Sequence, residues 1–392
     1  MKVKFGLLPR IIVAIALGVL IGSIAPENLV RVFATFTSIF GNFLNFIVPL
    51  IILGFIAPGI AKLGTGSGKL LGISTIVAYI STVLAGVFAF VVAMLILPGI
   101  MDGRTMANLD DPANALATTF IKLEMAPLFG VMSALLLAFL LGIGMAATGS
   151  KTMISFFDEF QIIIEKAISV VIIPLLPFYI FGIFANMAYG GAVMEILSLF
   201  GIVFVMIITL HWVMLVLQYG TAGSLTKQNP FKMLKTMLPA YFTALGTQSS
   251  AATIPVTLRQ ARKTGADERV ADFSVPLFAT IHLSGSTITL VSCAIGVVLL
   301  TGQNPDFASF FPFILMLGVT MIAAPGVPGG AVMAAIGLLQ TMLGFDATMV
   351  ALMIALYMAQ DSFGTAANVT GDGALANIVD RLTNGRKVKN TA

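Results

Sequence analysis

Charge is what this sequence has least of. Asp, Glu, Lys and Arg together make up 10% of its 392 residues, against 58% hydrophobic ones. A soluble domain is roughly a quarter charged, so a water-facing shell is excluded for most of the chain. A membrane helix uses about 20 apolar residues, so the length fits one bundle of spans better than several soluble domains. Cysteine is almost missing too. Cys293 stands alone in an apolar run, which excludes an internal disulfide and any paired-cysteine metal or redox motif. It reads as a small buried hydrophobe. A cleavable leader is also lacking: the first apolar stretch, 11–24, meets Pro26 and Glu27 without a small-residue cleavage site and reads as the first span. The net charge of +4 does not argue for nucleic acid, because the basic residues sit in short loops rather than on one face.

Apolar segments fall at about 9–25, 34–62, 70–98, 126–148, 160–190, 193–221, 274–301 and 347–379. Two more, about 230–258 and 309–341, are interrupted. The first breaks at Thr247–Pro255 (TQSSAATIP), the second at Ala324–Gly330 (APGVPGG). Irregular backbone at membrane depth survives only where protein or a wet cavity satisfies it. A pair of such segments points to a transporter binding site. Charge placement favours re-entrant hairpins over kinked spans. If the first interrupted segment crossed the membrane, the basic clusters at 227–235 and 259–269 would lie on opposite faces, against the positive-inside rule. The expected fold class is therefore all-α and integral to the membrane, with eight spans, two helical hairpins and both termini cytoplasmic.

The last helix carries a polar stripe. Asp361, Thr365, Asn368 and Asp372 lie at offsets of 0, 4, 7 and 11, which return to one face at about 3.6 residues per turn. Gly364 shares that face. Carboxylates inside a membrane are functional candidates by default, since each costs at least about 2.5 kcal/mol. A carboxylate takes an ammonium or a hard cation, amide and hydroxyl groups hold a carboxylate, and hairpin tips built from helix N-termini favour an anion. A zwitterion together with a cation matches that set.

At these residues the sequence resembles the dicarboxylate/amino acid:cation symporter family, the sodium-coupled glutamate and neutral amino-acid transporter fold. TQSSAATIPVT (247–257) is similar to its first hairpin tip, PLFATIHLSG (276–285) to its unwound seventh span, GVPGG (326–330) to its second hairpin and DSFGTAANVTGD (361–372) to its eighth span. The resemblance implies a homotrimer in the plasma (inner) membrane, working by an elevator mechanism. Scaffold spans 1–2 fall at 1–62, span 3 of the transport domain at 63–98, and an extracellular loop with scaffold spans 4–5 at 99–190. The transport core falls at 191–392, with hairpin 1 at about 230–261 and hairpin 2 at about 309–341. It also implies that Asp361 holds the substrate amine, with Thr365 beside it, and that Asn368 and Ser250 hold the carboxylate. Gln248, Ser249, Val327, Pro328, Gly329 and Gly364 complete the substrate pocket. Asp372 binds Na⁺ together with Asn368 and the backbone near Phe278 and His282.

Three departures refine this. Acidic-substrate members carry an arginine where Gly364 stands, and archaeal ones another where Gln248 stands. A second substrate carboxylate would then be buried unpaired, so a small neutral amino acid of the serine, threonine or alanine kind is expected. The family's NMDG motif is His282-Leu283-Ser284-Gly285 here. A second cation site at Ser81, Thr82 and Ser284 therefore lacks a negative charge and is expected to be weak or absent. His282 reads as a neutral imidazole bonded to a hydroxyl, with proton coupling as the alternative to Na⁺. A channel for anions or cations is a further alternative, since hairpins also form filters. An enzyme is excluded: no nucleophile stands with a base supplied by another helix. No organic cofactor is expected.

Overall fold

The computed structural model describes residues 7–65, 69–101, 117–121, 123–191, 193–322, 324 and 329–384. Among them the chain forms fourteen α-helices and no strand. Helix α1 spans Leu7–Ile24, α2 Glu27–Thr65, α3 Lys69–Met101 and α4 Val131–Thr148. Helix α5 (Lys151–Ala167) continues through a π turn at Ile168–Ile172 into α6 (Ile173–Tyr189). Pro174 has no N–H to give the preceding turn, which accounts for the widened coil. Then follow α7 (Val193–Thr226), α8 (Pro230–Thr247), α9 (Ser250–Lys263), α10 (Glu268–Ile281) and α11 (Ser284–Leu300). Helices α12 (Phe307–Met321), α13 (Gly330–Leu343) and α14 (Ala347–Asn384) complete the chain.

Six stretches of described residues are long and apolar enough to cross a bilayer: 27–61, 69–100, 151–189, 200–226, 268–300 and 347–383. Two shorter apolar helices, 9–24 and 136–148, lie where spans one and four are expected from the sequence. Two helices begin earlier than their apolar runs. Helix α5 starts at Lys151 rather than near 160, because the Ser150 hydroxyl accepts the Met153 N–H and the first turns are amphipathic. Helix α10 starts at Glu268 rather than near 274, where Asp267 accepts the Arg269 N–H. Both caps offer a side-chain oxygen to a helix N–H that has no partner within the helix.

Both interrupted segments are pairs of short helices packed on each other, α8 with α9 and α12 with α13. Gln248 makes the first turn in a left-handed conformation, φ 54°. Asp306 caps α12, and its hydrogen bonds from the Ser309 hydroxyl and N–H hold its carboxyl below the usual range.

Helix α14 packs mainly against α3, α7, α8, α9, α10 and α11, with smaller contacts to α1, α13 and α6, and every residue of α11 is buried. Helix α2 packs on α4, α5 and α6, and α1 on α6. The α1–α6 contact depends on Gly18 and Gly22, a small-residue pair four apart that lets two membrane helices touch. A Cβ on Gly18 would stand 2.6 Å from the Phe181 carbonyl oxygen, and one on Gly22 would overlap the Ala185 carbonyl. Gly22→Ala is expected to lower stability by about 1–3 kcal/mol through overpacking. Gly72→Ala, in α3 with no neighbour within 4 Å, should be neutral or slightly stabilising. Thermal unfolding of the two variants compares them directly, and equal midpoints would contradict the close α1–α6 seat.

Candidate functional site

The polar stripe of α14 is buried along its whole length. Asp361 is 5% exposed, Thr365 6%, Asn368 2% and Asp372 0%. Hydrogen bonds tie Asp361 to the second hairpin and both Asn368 and Asp372 to the break between α10 and α11. The stripe therefore stitches together the places where helices end.

Asp361 faces the second hairpin. Its Oδ2 accepts the backbone N–H of Gly329 at 2.7 Å. Gly329 adopts φ +74°, and a Cβ there would meet the Met358 sulfur at 2.8 Å, so glycine is required at this turn. The buried Tyr357 hydroxyl lies beside Asp361 and Ser286 without a hydrogen bond of good geometry. Among the described residues no Lys or Arg pairs with Asp361 or Asp372.

Asn368 faces the break between α10 and α11. Helix α11 has Leu283 at its N-cap, which has no side-chain acceptor. Asn368 supplies one from across the bundle: its Oδ1 accepts the N–H groups of Gly285 (2.8 Å) and Ser286 (3.3 Å). Its Nδ2 donates to the Ser286 hydroxyl at 2.9 Å. An amide nitrogen has two hydrogens, so one remains beyond the bond to Ser286. Gly364 lies on the same contact, where a Cβ would be 3.5 Å from Ser286 and from the Thr289 hydroxyl.

Asp372 faces His282. The Oδ1···Nδ1 distance is 2.8 Å with both side chains fully buried, while Oδ2 is buried without a hydrogen-bond partner. The other ring nitrogen, Nε2, is 3.1 Å from the Ser81 hydroxyl. The expected hydroxyl partner of His282 is present, and the carboxylate on its other nitrogen is an addition that the sequence does not announce. The Phe278 carbonyl accepts the His282 N–H at 2.9 Å, and the two rings meet edge to face. Glycines flank Asp372 because α7 and α8 approach closely there. A Cβ on Gly371 would come within 2.6 Å of Gln218 Oε1, and one on Gly373 within 2.8 Å of the Tyr219 hydroxyl, which donates to the Thr370 carbonyl.

Gln248, Ser249 and Ser250 form the turn of the first hairpin, which packs along α14, and Ser250 is buried. Val327 and Pro328 lie outside the described residues. Ser81, Thr82 and Ser284 come from α3 and α11, and Thr82 is buried with its hydroxyl unpaired. Two residues of α7 join the site unforeseen. Gln218 contacts Ser81, Ser284 and His282. His211 is buried with Nε2 3.0 Å from the Gly285 carbonyl and 3.2 Å from the Thr289 hydroxyl. They stand seven residues apart, two turns of one helix face, in an otherwise apolar span. That spacing is the signal that could have found them.

Residues 7–382 match the model of the sodium:dicarboxylate symporter family. The chain is 28% identical over 342 residues to a serine/threonine transporter SstT of Streptococcus suis, covering 84% of this chain and 93% of the relative. It is 25% identical over 395 residues to the serine/threonine transporter SstT of Acinetobacter baumannii, covering 96% and 97%. With the protein of that name from Streptococcus agalactiae it shares 26% identity over 404 residues, covering 98% of each.

Proposed function

The chain belongs to the sodium:dicarboxylate symporter family, and from that premise we propose that it is a Na⁺-coupled symporter of a small neutral amino acid of the serine, threonine or alanine kind. The carrying observation is Asp361, a buried carboxylate beneath the Gly329 hairpin tip with no basic side chain paired to it among the described residues. Such a charge is stabilised when a substrate ammonium meets it, and its position fits a cargo that must leave again. The relatives named as serine/threonine transporters support the choice of a hydroxylated or small side chain. Gly364 supports neutrality, because its neighbours Ser286 and Thr289 bring no positive charge. A second carboxylate there would cost several kcal/mol, roughly what breaking a buried ion pair costs.

In this reading eight spans and two hairpins cross or enter the inner membrane in each subunit of a homotrimer. Helices α1, α2, α4, α5 and α6 form a scaffold. Helices α3 and α7–α14 move against it as an elevator, and the preference of α14 for partners within that second group supports the division. Na⁺ sits at Asp372, whose Oδ2 is buried and has no hydrogen-bond partner. Proton coupling is a second reading, favoured by the 2.8 Å contact of His282 with Asp372, which places a proton-bearing ring on the candidate cation ligand.

Uptake of labelled serine into proteoliposomes tests both. An inward Na⁺ gradient is expected to drive accumulation, with aspartate failing to compete even at a hundredfold excess. Accumulation driven by a pH gradient without Na⁺ would transfer coupling to the proton. Preferential uptake of aspartate would overturn the neutral-substrate assignment.

A further inference from the structure

Gln218, on α7, is 6% exposed and ends among three polar groups from three other elements. Its Nε2 stands 3.0 Å from the Ser81 hydroxyl of α3, 3.2 Å from the Ser284 hydroxyl of α11 and 3.4 Å from His282 Nε2 at the helix break. Convergence of lone pairs from separate helices on one point is the geometry that holds a cation inside a membrane protein. Here an amide nitrogen occupies the point. It has two hydrogens to give and no lone pair to lend, so the Ser81 and Ser284 hydroxyl oxygens, two of the acceptors that a cation would need, are already met by a neutral donor. Gly371 makes the placement possible. A Cβ there would come within 2.6 Å of Gln218 Oε1 and 3.1 Å of the His282 ring, so any larger residue displaces the amide.

We propose that the Gln218 amide is a built-in neutral substitute for a monovalent cation at the junction of α3, α7 and α11. No ion loads between Ser81, Thr82 and Ser284, and coupling is left to the Asp372 side of the break. The consequence for coupling rests on the symporter reading above; the occupancy of the junction does not. Ser284 agrees with this assignment. A carboxylate at that position would lie against a filled site and have no cation to neutralise it.

The test is the dependence of the thermal midpoint on NaCl, with choline chloride holding ionic strength constant. The slope against the logarithm of Na⁺ concentration reports ions bound to the folded protein. Ser284→Asp alone is expected to lower the midpoint, with a slope equal to that of the wild type. Ser284→Asp with Gln218→Ala is expected to raise the slope by one Na⁺ per protein. Three results overturn the proposal: Ser284→Asp gaining an ion with Gln218 in place, the double variant gaining none, or Gln218→Ala alone losing an ion, which would make Gln218 a ligand. Should the double variant not fold, Ser284→Asp alone still decides, because Na⁺ rescue of its midpoint is incompatible with an occupied junction. A wild-type slope of zero would remove Na⁺ from Asp372 and so count against the symporter reading. The comparison of Ser284→Asp with the double variant would stand unchanged.

Discussion

Asp361→Asn is expected to abolish serine accumulation while raising the thermal stability of the substrate-free protein. The two effects share one cause. Asp361 is a carboxylate almost wholly removed from solvent, with a backbone N–H at 2.7 Å and no basic partner among the described residues. Isolated buried charge is costly, so the free protein holds it at a penalty that, in the function proposed above, a substrate ammonium relieves. Asparagine keeps the volume and an oxygen that can still accept the Gly329 N–H, so the hairpin tip retains its seat. What disappears is the charge. An ammonium left without its counter-ion loses about 3–5 kcal/mol. At about 1.4 kcal/mol per tenfold, that is roughly two to three and a half orders of magnitude in affinity. Uptake at serine concentrations below saturation measures the loss, and thermal unfolding without substrate measures the gain. A variant that accumulates serine within threefold of the wild type would remove Asp361 from the substrate site. A midpoint lowered by several degrees would show that the carboxylate serves the fold instead.

His282→Ala is expected to have the largest effect on stability, about 3–5 kcal/mol, because it strands the Asp372 carboxylate in the core. Asp372 Oδ1 loses its partner at 2.8 Å while Oδ2 already has none, and the side chain is fully buried. The same change releases Ser81 and Gln218 from the ring. Adding Asp372→Asn removes the stranded charge, so the double variant should unfold between His282→Ala and the wild type. The four midpoints form a double-mutant cycle in which the coupling between the two positions is read directly. If Asp372→Asn failed to restore any stability in the His282→Ala background, the contact would be packing rather than an electrostatic pairing.

How much of this was legible in the sequence depended on the range of each interaction. The α14 stripe is local: offsets of 0, 4, 7 and 11 place Asp361, Thr365, Asn368 and Asp372 on one face, and all four are buried. The hairpins were legible from Pro, Gly and small polar residues interrupting apolar runs, and both interruptions separate paired helices. Helix starts were not, since Lys151 and Glu268 open amphipathic turns that a search for apolar windows passes over. The partners of the stripe were the least visible. Asn368 reaches residues more than eighty positions away, and Gln218 reaches Ser81 across 137. The spacing of His211 and Gln218 marks one face of α7 but not which elements that face meets.

The cap that Asn368 places on α11 has a mechanical consequence. A helix usually carries its own N-terminal cap, and can then tilt or slide without losing it. Here the capping oxygen belongs to α14, while the Gly285 carbonyl on the other side of the same residue is pinned by His211 of α7. Shifting α14 away from α11 far enough to break both bonds would leave two buried N–H groups with no acceptor, at about 1–3 kcal/mol each. The broken helix and the stripe are therefore bolted into a single strut. Any bending or shear is easier at contacts that carry no such bolts, which leaves Asn368 and the start of α11 at a fixed separation.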